Sequence, residues 1–320
     1  MLLTLLIWLI TILLILLSVA FFTLFERKFI GLVHLRVGPN KVSFLGLLQP
    51  ILDAVKLLSK QPIVSIRANQ LSFHLSAHLA LLLPIIAWLV LPYPVMYGSY
   101  SFLVFLILGS FVIFSVLLGG WASNSKYSLL GSLRSVAQSI SYEAVFTTLV
   151  VLVLAVVGSY SLSSVGVFGS SIFIFLFPIW VFTTLAETHR APFDFSESES
   201  ELVSGFNTEY SGGYFAFLFL SEYCILILSS IIIIFVFFSP IFTITPLVLS
   251  VGSIFILTFF TWIRVTFCRY RYDKLISSAW KSYLPVSLIL LFFYLLLWNG
   301  SIIITRDCRS PNGFQPYFIV

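Results

Sequence analysis

Carboxylates are the side chains in this sequence best placed to do chemistry, because they are few and unevenly spread. Of the 12 acids in 320 residues, seven lie between positions 187 and 222: Glu187, Asp194, Glu197, Glu199, Glu201, Glu209 and Glu222. Seven negative charges face one base, Arg190, which leaves a local charge of −6. A solvated acidic surface would be polar throughout. Here Pro192-Phe193, Phe195, Leu202-Val203 and Phe206 are interleaved with the acids. Carboxylates crowded among apolar side chains repel one another and lose hydration, which favours their protonated form. Such groups are suited to carry protons rather than to act as fixed charges. Glu143 and Glu222 extend the pattern, each at or just inside the end of an expected membrane span, where a bare carboxylate is costly. With Glu187 at the end of another span, three helices can aim acids at one region. The simpler alternatives are an exposed acidic surface for the segment and hydration at the interface for Glu143 and Glu222.

A second segment is mainly basic. It begins Glu26-Arg27-Lys28, passes Gly31, His34, Arg36 and Gly38-Pro39-Asn40, and continues from Ser43 to Lys60. In that second half Gln49, Asp53, Lys56 and Lys60 recur at helical spacing, while Phe44, Leu47, Leu48, Ile51, Leu52, Val55 and Leu58 cover the rest. The pattern predicts an amphipathic helix lying in the membrane interface. An anchor for a membrane surface needs only bases, so the acids Glu26 and Asp53 point to something more.

The elements that position these groups follow from composition. The chain is 60% hydrophobic and only 9% charged, too little polar surface for a soluble globule of this size. Its apolar runs are continuous rather than alternating, which favours helices over a barrel. Stretches free of Asp, Glu, Lys and Arg cover residues 1 to 25, 68 to 125, 144 to 186, 223 to 263 and 282 to 305. A span takes roughly 20 residues, so the outer stretches hold one helix each and the three long ones two each. Turn chemistry marks the internal breaks at Leu91-Pro92-Tyr93-Pro94, at Gly158 to Ser171 and from Ser239-Pro240 through Pro246. The expected architecture is an all-α, polytopic single membrane domain over 1–320, with about eight transmembrane helices and an interfacial helix after the first.

Eight spans place loops 26–67, 121–142, 187–213 and 264–281 on one side, with 15 of the 17 Lys and Arg residues. By the positive-inside rule these loops face the matrix or cytoplasm, and both termini face outward. The net charge of +5 thus reflects topology and gives no reason to expect nucleic acid. Met1 to Phe25 is too long and uninterrupted for a signal-peptide core and lacks an Arg-rich amphipathic presequence. The first span is therefore expected to be retained, in a protein made inside an organelle or of bacterial type.

Other chemistries find little support. Cys224, Cys268 and Cys308 are widely scattered, without a CxxC pair, which rules out a cysteine-ligated zinc or iron-sulfur site built by this chain alone. No GxGxxG or P-loop pattern occurs. His74 and His78 can share one helix face, but no third ligand is evident nearby, so structural histidines are expected. No metal-binding or covalently catalytic residue is assigned.

Several stretches together resemble a known family. Glu26-Arg27-Lys28 through Arg36-Val37-Gly38-Pro39-Asn40 and Gln49-Pro50 to Lys56 form the first. Gly120 to Tyr127 with Arg134 to Glu143 forms the second, and Ala186-Glu-Thr-His-Arg-Ala-Pro-Phe-Asp194 through Glu199 to Tyr210 the third. Trp262-Ile-Arg264 and Arg269-Tyr-Arg-Tyr-Asp273 continue the match. The chain is similar, along nearly its whole length and in the same order, to chain 1 of NADH-ubiquinone oxidoreductase, respiratory complex I. The resemblance implies a core membrane subunit at the junction with the peripheral arm, whose inside loops help form the tunnel through which ubiquinone enters. By motif position Arg27, Arg36, Asp53, Arg190, Phe193 and Arg264 would line or shape that tunnel. Glu143, Glu187, Asp194, Glu197, Glu199, Glu201 and Glu222 would link it to the proton-pumping arm. Ubiquinone would be the substrate, with FMN and the iron-sulfur clusters on partner subunits and no redox centre on this chain. The implied partners are the peripheral-arm quinone-site subunits, adjacent membrane subunits and lipids.

The short loops and the absent presequence look more like a mitochondrially encoded member, in the inner membrane with both termini on the intermembrane-space side. Departures from the family pattern are His189 where Asn is usual, His34 where Gln is common, Ser198 in place of Gly, and Gln61 in place of an acid. Two rival classes remain: a proton-coupled transporter, which would usually show internal repeats of spans, and a purely structural anchor for a peripheral complex.

Overall fold

A computed structural model describes residues 2–91, 100–162, 165, 176–195, 205–238 and 246–307. Every regular element among the described residues is helical, and no strand occurs there. The α-helices among the described residues include α1 (Leu2–Val33), α2 (Gln49–Ser59), α3 (Gln70–Ala87), α4 (Ser101–Ala122), α5 (Lys126–Val157), α6 (Phe177–Glu187), α7 (Gly212–Ile233), α8 (Pro246–Thr266), α9 (Tyr272–Ser278) and α10 (Leu284–Asp307). Two π-helical turns prolong them, Ile234–Phe238 after α7 and Ala279–Tyr283 between α9 and α10.

Seven of the stretches so formed are long and apolar enough to cross a membrane: Leu6–Val33, Gln70–Val90, Ser101–Ala122, Lys126–Val157, Gly212–Phe238, Leu247–Thr266 and Tyr272–Leu296. The place of the remaining expected span falls at α6, 11 residues long, preceded by residues 166–175, which lie outside the described residues. The chain is thus an all-α polytopic membrane protein.

The helices reach further than the uncharged stretches do. At 32 residues, α1 and α5 are each about 48 Å long, well beyond a hydrocarbon core of roughly 30 Å. Charge marks where a helix leaves lipid, but Glu, Arg and Lys are good helix formers, so the helix does not stop there. Glu26-Arg27-Lys28, expected to open a loop, therefore ride on the last turns of α1. Most of segment 121–142 is likewise helical, because α5 starts at Lys126, where Ser125 caps it by accepting from the Ser128 N–H at 3.4 Å. Glu143 and Glu222, expected near span ends, stand close to the middles of α5 and α7. The interfacial helix is shorter than its pattern. Pro50 fits the first turn but restrains what precedes it, so α2 starts at Gln49, and a short 3-10 turn at Phe44–Gly46 lies before it.

Packing is built on α5, which touches α4, α6, α9 and α10, while α3 packs on α4 and α7, and α1 on α7 and α8. Tyr142, Phe146, Leu149, Trp180, Leu185, Phe193, Leu228 and Ile233 form the main buried core. A smaller cluster of Phe73, Ala77, Phe206, Tyr210 and Leu218 seats the segment before α7 against α3.

Candidate functional site

Glu26 is the hub of a buried charge cluster drawn from four elements. Its side chain leaves the end of α1 inward and is 5% exposed. One carboxylate oxygen, Oε2, accepts from the Tyr223 hydroxyl of α7 at 2.7 Å. The other, Oε1, accepts from Nη1 of Arg264 on α8 and has Nη1 of Arg190 at 3.9 Å. Arg190 comes from the turn after α6 and lies with its guanidinium carbon 4.0 Å from the centre of the Tyr223 ring. Its Nη2 stands 4.0 Å from Oε2 of Glu222. Two acids and two arginines thus balance in a region where unpaired charge would be strongly disfavoured. Burial works against the Arg190 charge, but Tyr223, Glu26 and Glu222 more than offset it and hold the guanidinium above its ordinary value.

The turn carrying Arg190 has a demanding backbone. The N–H of Arg190 reaches the carbonyl of Leu185 at 3.2 Å, that of Phe193 the carbonyl of Arg190 at 2.8 Å, and that of Tyr270 the carbonyl of Pro192 at 3.2 Å. Phe193, 3% exposed, packs its ring near Tyr142, Phe182 and Tyr270. His189 has φ +49°, the left-handed region that Asn and His enter more readily than most residues. Histidine is thus a side chain that tolerates this turn. The His189 ring is half-buried, and burial lowers its pKa to about 4, so it is neutral at physiological pH.

Glu222 also faces a cavity of about 110 Å³, lined as well by Glu143, Glu187 and His189. The volume has room for several waters. Most of its wall is apolar, from Phe105, Val112, Phe146, Leu218 and Leu228 among others. Glu143 accepts from the Ser110 hydroxyl of α4. Among the described residues neither Glu143 nor Glu187 has an ion-pair partner. Acids from α5, α6 and α7 therefore meet at one void, and Arg190 joins that void to Glu26.

The remaining residues singled out from the sequence lie apart from this core. Arg27 and Asp53 form an exposed ion pair at 2.6 Å, with Gln49 donating to Asp53 at 3.0 Å. Arg36 is exposed beyond the end of α1. Asp194 pairs with Arg269 at 3.7 Å. Glu197, Glu199, Glu201 and Ser198 lie outside the described residues, as does Cys308. His74 and His78 flank Tyr214 with ring centres 5.1 and 5.9 Å away, and His78 Nδ1 contacts the His74 carbonyl at 2.7 Å. Glu26 was conspicuous as an acid without an anchoring purpose, but its role as hub was not readable. Tyr223 and Ser110 gave no signal in the sequence at all.

Comparison with known proteins agrees with this architecture. Residues 6–295 match the family described as NADH dehydrogenase. The chain is 44% identical over 289 residues to NADH-ubiquinone oxidoreductase chain 1 of Aedes aegypti, a match covering 87% of this chain and 90% of that one. The chain 1 of Heterololigo bleekeri is 43% identical over 289 residues, covering 87% and 92%. That of Emballonura alecto is 42% identical over 312 residues, covering 93% and 96%.

Proposed function

The chain belongs to the NADH dehydrogenase family as a chain 1 of NADH-ubiquinone oxidoreductase, a core membrane subunit of complex I, and from this premise we propose that it guides ubiquinone and couples its reduction to proton movement. The observation that carries the reading is the series of charged groups from Arg264 and Glu26 through Arg190 to Glu222, which lines one cavity with Glu187 and Glu143.

Quinone enters from the bilayer past the segments 26–67 and 187–213, where Arg27, Arg36, Asp53, Arg190, Phe193 and Arg264 line or shape its path. It is reduced on a peripheral-arm partner, since this chain supplies no redox centre. FMN and the iron-sulfur clusters belong to those partners, and the chain also contacts adjacent membrane subunits and lipid. Reduction changes charge beside the Glu26 cluster, and a change there alters what Arg190 contributes to Glu222. Carboxylates around the cavity, with Asp194, Glu197, Glu199 and Glu201 nearby in the chain, respond by changing protonation and pass the effect to the pumping arm. Such coupling needs two differently protonated states of one element, and acids gathered around one cavity can supply them. The membrane is the mitochondrial inner membrane, with the four charged segments toward the matrix and both termini toward the intermembrane space.

Photo-crosslinking with an azido-ubiquinone analogue in native membranes tests the path. Labelling within residues 26–67 or 187–213 that a quinone-site inhibitor suppresses is the expected outcome. An assembled complex labelled only elsewhere would leave the chain as a structural anchor.

A further inference from the structure

Gln138 is fully buried on α5 and does something no charged group of the site does. Its side-chain amide donates from one nitrogen, Nε2, to the carbonyl of Ala186 at 2.9 Å and to the carbonyl of Phe193 at 2.8 Å. Those carbonyls bracket the turn that holds Glu187, His189 and Arg190. Both partners accept only, so the amide cannot be turned the other way without setting its oxygen against two carbonyl oxygens. The oxygen Oε1 has no partner among the described residues, which is unusual for a buried amide. The amide is thus used for its two N–H groups alone.

The rest of α5 supports the same task. Gly131, Ser135, Gln138 and Tyr142 follow at spacings of four, three and four, which places them on one face of the helix. A Cβ at Gly131 would come within 2.8 Å of the Gly205 Cα and the Phe206 nitrogen, so the far end of the acidic segment also presses on this face. Tyr142 donates to the Leu275 carbonyl at 3.2 Å and sets its ring 6.4 Å from that of Phe193. The sequence supplies a seat for the acidic segment and, at its centre, a two-pronged donor.

We propose that Gln138 is the positioning residue of the Arg190 turn: by holding Ala186 and Phe193 together it keeps Arg190 between Glu26 and Glu222. The inference rests on the coupling role given above. Arg190 is 3.9 and 4.0 Å from its two carboxylates, close to both and hydrogen-bonded to neither, so a small shift of its backbone changes which acid it serves. Gln138 does not line the cavity, and its two hydrogen bonds go to the turn alone.

The test compares Gln138→Leu, which fills similar space without donors, with Gln138→Glu, whose neutral form offers one O–H to one of the two carbonyls. Assembled complex is quantified by its NADH:ferricyanide activity, which the partner subunits supply. Per assembled complex, Gln138→Leu is expected to lower the kcat for a short-chain ubiquinone by about 10- to 100-fold, as displacement of a positioned group can, with KM little changed. Gln138→Glu is expected to fall between Gln138→Leu and the parent. A parental kcat in Gln138→Leu would overturn the inference. So would loss of assembly in both variants, which would make the residue structural. Should only Gln138→Leu fail to assemble, Gln138→Glu decides: a reduced kcat supports positioning and a parental one refutes it. Glu187→Gln is measured in parallel. If it is slow while Gln138→Leu is normal, the positioning role fails and the coupling role stands; if both are normal, the coupling role fails too.

Discussion

Glu26 and Arg27 are neighbours in the sequence and have opposite fates. Arg27 points outward to an exposed pair with Asp53, whereas Glu26 points inward to Tyr223, Arg264 and Arg190. Exposed pairs are screened by water and salt and contribute little to stability. A buried charge whose partners are removed is strongly destabilised. One turn of α1 therefore carries a pair that adds little to stability on one side and one costly to break on the other, and only the second connects to the acid cavity.

The comparison can be broken at its strong end first. Glu26→Gln keeps the shape but leaves Arg264 without its carboxylate and two arginines balanced by Glu222 alone, and breaking a buried pair costs roughly 3–5 kcal/mol. We expect a large drop in assembled complex, or in quinone reductase activity per complex, read by native gel and turnover. Tyr223→Phe keeps the ring beneath Arg190 and removes only the hydroxyl bonded to Glu26. Hydrogen bonds to charged groups contribute roughly 1.5–3 kcal/mol to stability, so the unfolding midpoint of the purified complex should fall measurably, though less than for Glu26→Gln, with assembly retained. Asp53→Asn at the exposed pair should shift the unfolding midpoint of the purified complex very little, since such pairs contribute about 0–1 kcal/mol. A loss there as large as for Glu26 would show that exposure does not distinguish the two pairs.

The smallest effect at neutral pH is expected at His189. Its folded-state pKa, lowered by burial to about 4, lies below the ordinary 6.5. As pH falls from 6.5 toward 4 the unfolded chain takes up a proton that the folded one refuses, so stability is lost across that window and no further below it. Replacing His189 by Asn should remove this part of the acid sensitivity while leaving neutral-pH turnover unchanged, which thermal inactivation at stepped pH would reveal.

Much of the fold could be read directly. Uncharged stretches marked the spans, because lipid excludes charge, and helical stretches end at Val90, Val157 and Phe238, beside the turn residues expected to break them; of those turn residues, 92–94, 163–164, 166–171 and 239–245 lie outside the described residues. The ends of helices were hidden, since α1 and α5 run on through charged residues once outside lipid. Converging acids at 143, 187 and 222 were foreseen as a possibility from their places beside three spans. The hub was not, because Glu26 meets Tyr223 and Arg264 across 197 and 238 residues, and nothing local to α1 records those partners. Gln138 was equally silent: a glutamine in a serine-rich helix shows no sign that its two N–H groups serve carbonyls on another element.

The most direct test of the central claim is turnover and proton-to-electron ratio for the complex carrying Glu187→Gln, reconstituted in liposomes. Removing a titratable acid from the cavity should lower ubiquinone reduction at least about tenfold, the scale of a lost proton-transfer group, while NADH:ferricyanide activity stays intact. Unchanged turnover with an unchanged proton-to-electron ratio would contradict the account and leave the acid cavity as a structural feature.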